Sequence, residues 1–341
     1  MMKRLNIAIV GATGIVGRMI LSIIEERKFP IDNIYLLAGK NSLGKKIFFE
    51  KYELIVENLE SFNFSQVDIT FFSCGSFISK NFVPIAVDSG SIVIDNSSYY
   101  RYEEDIPLIV PEINSACISK YISRRIISNP NCSTIGMALV LKPFLDFVGV
   151  RKVHVTTYQS VSGSGKKGIN ELITQFKLLL NGYAINKPII YPYQIAFNVI
   201  PHIDDFYENG YTLEEMKMIW ETKKIIGNHD ILINPTAVRV PVLYGHSEVL
   251  NLELKNLLSI DEAKRILKKA SGIKLIDSSM CNKYPTPVSH AIGKDEVFVG
   301  RVRKDITNPC GLNLWIVLDN IRKGSATNMV QIAEILQRDY F

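Results

Sequence analysis

A chain of 341 residues, 47% hydrophobic and 21% charged, is too long for one ordinary core and suits two domains of a globular protein. Its net charge of +5 is too mild over that length to indicate nucleic-acid binding, and supports only a modest pull on anionic ligands. Five scattered cysteines (Cys74, Cys117, Cys132, Cys281 and Cys310) lack metal-ligand spacing and are odd in number, which argues against a metal site and fits a reducing compartment.

No apolar run reaches the length of a membrane span, and the N-terminal residues lack the apolar stretch and small-residue cleavage site of a signal peptide. The expected location is the cytoplasm, with no membrane and no nucleic acid among the partners.

Residues 6–10, Asn-Ile-Ala-Ile-Val, read as a buried parallel strand. Gly11-x-x-Gly14-x-x-Gly17 follows at once, and residues 18–27 have helical periodicity. Glycines in that setting permit a tight turn, a close approach of pyrophosphate to the backbone and close packing of helix on strand. The helix N-terminus adds N–H donors and a positive dipole end. Strands are expected at 34–38, 69–73 and 92–95, with helices between, so the first half predicts a doubly wound α/β sheet. The loop after the second strand, Gly39-Lys40-Asn41-Ser42-Leu43-Gly44-Lys45-Lys46, has no acidic residue for a free ribose hydroxyl. Its lysines and Ser42 suit a 2′-phosphate, which favours NADP.

Ser128-Asn129-Pro130-Asn131-Cys132-Ser133-Thr134 places a cysteine between a turn and an apolar run, 135–141. That run reads as the start of a buried helix. A cysteine at a helix N-terminus is favoured as thiolate, the form that attacks carbonyls.

Beyond Cys132 the texture changes. Strands are expected at 153–159, 237–242, 247–254 and 311–318, and helices at 168–180, 260–270 and 325–338. Longer, less regularly alternating strands predict an α+β domain with a mostly antiparallel sheet. Residues 178–206, rich in Pro, Tyr and Asn, read as a long loop or mobile cover. Gln159 ends a strand, and the small turn after it, through Ser162 and Gly163, lets a flat ring approach the backbone. Arg239 and His246 flank a strand break. Arginine clamps carboxylates bidentately, and histidine suits proton transfer near neutral pH. Glu214 and Lys217, spaced i, i+3, share one helix face. Arg101 follows Asp95-Asn96-Ser97-Ser98 as a further polar candidate.

These segments closely resemble the aspartate-β-semialdehyde dehydrogenase family, from about Asn6 onward. The matching pieces are GATGIVG at 11–17, IDNSSYYR at 94–101, VPEIN at 110–114 and SNPNCST around Cys132. TYQSVSGSG around Gln159, EEMK at 214–217, RVPVLYGHSE at 239–248, VGRVRKD at 299–305 and LDNIRKGSATNMVQIAE at 318–334 complete the set.

The resemblance implies a Rossmann NADP-binding domain over 1–130, completed by a C-terminal helix at 322–341, and a catalytic and dimerisation domain over 131–321. It implies a homodimer or tetramer that reversibly converts L-aspartate 4-semialdehyde and inorganic phosphate to L-4-aspartyl phosphate. Cys132 would be the nucleophile, His246 the acid/base, and Gln159 the residue orienting the acyl intermediate. Arg239, Glu214 and Asn131 would bind substrate, and Arg101 and Lys217 phosphate. Gly11, Thr13, Gly14, Ile15, Val16, Lys40, Asn41 and Ser42 would hold the cofactor, with Ser162, Gly163 and Asn328 near the nicotinamide. No metal is implied. Family members often carry arginine where this chain has Asn41, so Lys40 or Lys45 would compensate. Two alternatives are N-acetyl-γ-glutamyl-phosphate reductase, which shares the thioester logic, and a non-catalytic NADP-binding paralogue.

Overall fold

The computed structural model describes residues 3–185, 187–278 and 282–341. The chain divides into two compact units, Met1–Asn131 with Ser325–Phe341, and Cys132–Gly324.

The first unit contains β1 (Leu5–Val10), α1 (Ile15–Glu26), β2 (Ile31–Ala38), β3 (Lys46–Phe49), β4 (Tyr52–Asn58), β5 (Ile69–Phe72), α2 (Ser76–Asp88), β6 (Ile92–Asp95), α3 (Pro111–Asn114), β7 (Ile126–Ser128) and the C-terminal helix Thr327–Tyr340. Seven strands run in the order β3-β4-β2-β1-β5-β6-β7. All pairings are parallel except the β3–β4 hairpin.

β1 is a near-continuous apolar run because both of its faces are covered. Leu5, Ile7 and Ile9 pack with Ile20 and Ile24 of α1 and with Met329, Val330 and Ala333 of the C-terminal helix. Ala8 and Val10 face the opposite side with Val83 and Ala86 of α2. β2 and β5 flank β1 on either side, so the sheet order reverses at the glycine turn, where such folds bind ligands. The hairpin lay outside the sequence expectation. Its Phe48, Tyr52 and Ile55 are exposed, so it lacks the polar-out alternation by which a strand is read.

The second unit contains α4 (Cys132–Phe147), β8 (Val150–Gln159), α5 (Gly165–Leu180), α6 (Leu213–Ile226), β9 (Leu232–Arg239), β10 (His246–Leu254), α7 (Ile260–Lys269), β11 (Ile273–Leu275), β12 (Val297–Lys304) and β13 (Gly311–Leu318). Its six-stranded sheet has the order β11-β12-β13-β10-β8-β9. Three pairings are antiparallel and the two outermost are parallel, so the sheet is mixed with an antiparallel centre.

The register decides where chemistry gathers. Gln159 pairs with Arg239, Tyr158 with Ser247 and His246 with Leu318. The ends of β8, β9 and β13 and the start of β10 therefore share one end of the sheet.

β9 departs from expectation. It starts at Leu232 and stops at Arg239. Pro241 has no N–H to extend a ladder, and the chain turns there instead, with Val242 N–H donating to Val240 O. Pro235 sits inside β9, which is tolerated because β9 is an edge strand. Between α5 and α6 the described residues form no helix or strand.

Candidate active site

Cys132 is the first residue of α4 and is partly exposed, whereas Ser133 to Leu141 behind it are buried. The helix packs tightly on the sheet. A Cβ at Gly136 would lie 3.0 Å from Leu318 and 3.1 Å from Glu248 Oε1. At its start, a Cβ on Gly324 would lie 2.8 Å from Cys132 Cβ. Gly324 N–H in turn donates to Asp319 O at 3.0 Å. The turn after β13 therefore lies against the cysteine.

His246 is fully buried at the start of β10. Its Nδ1 accepts the Ser160 backbone N–H at 3.1 Å and lies 3.1 Å from Ser160 Oγ. Its Nε2 is buried without a hydrogen-bond partner. Burial first, and then the Arg239 guanidinium, press its pKa down to about 3, against a smaller upward pull from Glu214. The ring is therefore neutral at physiological pH.

Arg239, 5% exposed, donates from Nη1 to Ser160 O at 2.8 Å. A Cβ at Gly163 would lie 2.8 Å from that nitrogen and 3.5 Å from His246 Nε2. A side chain there would press on the Arg239 guanidinium, while the distance to the His246 ring is an ordinary van der Waals contact. Gln159 Nε2 donates to Glu214 Oε1 at 2.9 Å. Glu214 Oε2 lies 3.4 Å from Lys217 Nζ, which also pairs with Asp204. α6 is held in place by a capping box of Thr212 and Glu215. Glu215 Oε1 also accepts the Ala237 N–H of β9 at 2.9 Å.

Gln159, Ser162, Gly163, Glu214, Lys217, Arg239 and His246 thus form one connected group. The sequence reading missed four residues around it: Ser160, Asn320, Asp204 and Glu248. Asn320 Oδ1 accepts Gly245 N–H at 3.0 Å and is reached by Ser162 Oγ at 3.1 Å and Ser160 Oγ at 3.3 Å. Glu248 is fully buried, with both carboxylate oxygens unpartnered. Burial, then Glu214, hold its pKa well above the ordinary value. The signal available was a polar pair, Asp319-Asn320, closing an apolar strand.

In the first unit, Gly11 has φ +83°, and a Cβ there would meet Ser73 O at 2.7 Å. Gly14 precedes α1, whose first turn has no acidic residue. These backbone atoms border a cavity of about 480 Å³ lined in part by Thr13, Lys40, Asn41 and Ser42. Thr13 Oγ1 donates to Ser42 Oγ at 3.3 Å, and Lys45 Nζ to the same oxygen at 3.2 Å. A pyrophosphate fits such a cradle, where added Cβ atoms would intrude. Glu60 also lines the cavity and pairs with Lys40 at 2.9 Å. An acidic group absent from the loop sequence therefore reaches it from after β4.

Arg101 is buried, with Nη2 donating to Asn96 O at 2.7 Å. Asn131 is the last residue of this unit before Cys132 and is 8% exposed. Asn328 Nδ2 is committed to Ile109 O at 2.9 Å and Asn129 Oδ1 at 2.7 Å. Among the described residues, no cluster of His, Cys, Asp or Glu suits a metal ion.

Two family models cover most of the chain. The semialdehyde dehydrogenase NAD-binding domain matches residues 6–121 and the semialdehyde dehydrogenase dimerisation domain matches 141–323. Fold and matches together define a two-domain semialdehyde dehydrogenase. Aspartate-semialdehyde dehydrogenase of Legionella pneumophila is 56% identical over 340 residues, covering 100% of this chain and 98% of its own. The structure of aspartate semialdehyde dehydrogenase II from Vibrio cholerae complexed with ASA has a TM-score of 0.97 at 50% identity, covering 99% of this chain and 100% of that one. A Pseudomonas aeruginosa structure, described as a probable aspartate-semialdehyde dehydrogenase, has a TM-score of 0.94 at 32% identity, covering 99% and 100%. The chain belongs to the aspartate-semialdehyde dehydrogenase family, and the reductase alternative is not favoured.

Proposed function

We propose that the chain catalyses reversible, phosphate-dependent oxidation of L-aspartate 4-semialdehyde to L-4-aspartyl phosphate, with NADP as the nicotinamide cofactor. The observation that carries this reading is the gathering of Gln159, Arg239 and His246 at one end of the second sheet, in the unit whose helix α4 begins with Cys132.

A helix N-terminus favours a thiolate. Cys132 adds to the aldehyde carbon and carries the acyl group as a thioester, which phosphate then cleaves. Arg239 clamps the substrate carboxylate, and Glu214 faces its amino group. Gln159, held by Glu214, orients the acyl carbonyl. Lys217 and Arg101 bind phosphate, for which Lys217 exchanges its Asp204 partner. Asn131 contacts the substrate. Gly11, Thr13, Gly14, Ile15 and Val16 hold the cofactor's pyrophosphate, Lys40, Asn41 and Ser42 its 2′-phosphate, and Ser162, Gly163 and Asn328 border its nicotinamide. When bound, the cofactor supplies the hydride acceptor.

We also propose that the chain works as a homodimer or tetramer in the cytoplasm. The dimerisation-domain match supports self-association. Among the described residues no helix is long and apolar enough to cross a membrane.

The deciding assay mixes purified protein with aspartate semialdehyde, phosphate and NADP or NAD. Formation of reduced cofactor only when phosphate is present is expected. Turnover with N-acetylglutamate semialdehyde alone, or none with either aldehyde, would overturn the reading.

A further inference from the structure

Asn129 grips the turn that carries Arg101 at two points. Its backbone N–H donates to Asp95 O at 2.8 Å, and its Nδ2 donates to Asn96 Oδ1 at 2.8 Å. Asn96 N–H is tied to Phe72 O at 2.9 Å, so the direction of its carbonyl is fixed as well. That carbonyl accepts Arg101 Nη2 at 2.7 Å. Asp95 closes the turn from inside, accepting Ser97 Oγ at 2.6 Å and Ser79 Oγ at 2.7 Å.

The grip runs in one direction. Ile109 O can only accept, so the Asn328 amide must present its nitrogen there, as it does at 2.9 Å. The other proton of that nitrogen reaches Asn129 Oδ1 at 2.7 Å. Asn129 therefore turns its carbonyl to Asn328 and its nitrogen to Asn96. Reversing any one of these amides would set two acceptors or two donors face to face. Asn129 and Asn328 are fully buried, where a mispaired amide is costly. All of these residues belong to the first unit. From Asn129 the chain runs through Pro130 and Asn131 directly into Cys132.

We propose that Asn129, locked by Asn328, registers the Arg101 turn against the turn leading into Cys132, and so is a positioning residue for the phosphate step. This rests on the phosphate and nucleophile roles proposed above. In that step an oxygen of hydrogen phosphate bonds to the acyl carbon. The C–S bond breaks, sulfur keeps the electron pair, and the phosphate's proton is released to solvent. Arg101 binds the phosphate and Cys132 holds the acyl group, so the register between their two turns sets the aim of the attack. Hydride transfer precedes phosphate and does not use Arg101, so acylation is far less sensitive to that register.

Asn129→Ala and Asn96→Ala cut the same hydrogen bond, from its buried end and from its partly exposed end. Rapid mixing without phosphate reads acylation alone, as a burst of reduced cofactor, and steady-state kinetics read the phosphate step. In both variants kcat/KM for phosphate is expected to fall about ten- to a hundredfold, and the burst rate by no more than about a tenth of that factor. In an Arg101→Met background there is no guanidinium left to position, so Asn96→Ala should add less than about threefold. Calorimetry with inorganic phosphate reads anion binding without turnover, and Asn96→Ala should raise its Kd at least about threefold. A phosphate loss no larger than the burst loss, or losses that multiply fully in the double variant, would overturn the proposal. Absent wild-type turnover of aspartate semialdehyde, beside weakened phosphate binding in Asn96→Ala, would sink the reaction assignment and leave the anchoring of Arg101 standing.

Discussion

Gln159 and Glu214 meet through one hydrogen bond, Nε2 to Oε1 at 2.9 Å, while the other oxygen of Glu214 faces Lys217 at 3.4 Å. One carboxylate thus ties the end of β8 to the lysine of α6. Both partners are donors, so a carboxamide at 214 can satisfy only one of them. Glu214→Gln is expected to raise KM for aldehyde and phosphate together, by about tenfold each, the scale of one charge-assisted bond. Steady-state kinetics with each substrate varied in turn check this, and an effect confined to one substrate counts against the shared role.

Arg239→Lys should behave differently. Lysine cannot keep the Ser160 O contact and also offer a planar fork to a carboxylate. KM for the semialdehyde is expected to rise much more than KM for phosphate, and Arg101→Lys should show the reverse. Equal shifts in both substrates for both variants would refute the division of labour.

Cysteine reactivity gives a third check. Burial pushes the Cys74 thiol up to about 12, so it should alkylate slowly, whereas Cys132 opens α4 partly exposed. Iodoacetamide is expected to label Cys132 ahead of Cys74, Cys117 and Cys310; Cys281 lies outside the described residues. Cys132→Ser should abolish turnover while leaving circular dichroism and NADP binding unchanged. Peptide mapping that finds another cysteine labelled first would contradict the assignment of the nucleophile.

Cofactor choice turns on Lys40 and Glu60. Their exposed pair at 2.9 Å sets a carboxylate beside the cavity that Asn41 and Ser42 line. A 2′-phosphate is repelled by Glu60 and attracted by Lys40 and Lys45, without the planar fork of an arginine. Asn41→Arg and Glu60→Gln should each raise the ratio of kcat/KM for NADP over NAD, by about three- to tenfold at low salt and less at high salt. An unchanged ratio in both variants would show that this loop does not read the phosphate.

Two buried groups give opposite pH signatures. The folded-state pKa of His246 lies below its ordinary 6.5, so the unfolded chain binds the extra proton and stability falls as pH drops from 6.5 towards about 3. That of Glu248 is raised above its ordinary 4.5, so the folded chain keeps its proton longer and stability falls as pH rises past 4.5. His246→Gln should therefore gain stability relative to wild type at about pH 4.5 more than at about pH 8, and Glu248→Gln the reverse. Urea midpoints at the two pH values decide it, and parallel shifts in both variants would be the wrong result.

The doubly wound sheet was legible because β1 is buried on both faces and reads as an uninterrupted apolar run. The glycine turn after it was legible because Gly11 needs positive φ. β13 matched its expected bounds at 311–318, whereas β9 was misplaced because propensity saw the valines around Pro241 and not the missing N–H. Within the site, residues carrying charge or a nucleophile stood out. Ser160 did not, because its contribution is a backbone N–H that any residue but proline supplies. Asn320 did not, because its Oδ1 matters only once residues from three strand ends converge. Glu60 was hidden for the same reason, being brought to Lys40 by the β2–β4 pairing and not by proximity in sequence.

The first unit is made of two stretches that the ribosome delivers far apart. Its sheet emerges first, but the helix covering Ile7 and Ile9 follows only after all of 132–324 has been made. Until then that face lacks Met329, Val330 and Ala333. Asn129 also waits for Asn328, and Lys3 O for the Gln337 amide at 3.1 Å. The nascent N-terminal sheet therefore carries an uncovered apolar surface through most of translation, when such surfaces invite aggregation. Chains stopped before residue 325 should never bury it, so ribosome stalling late in the message exposes the same surface as early misfolding.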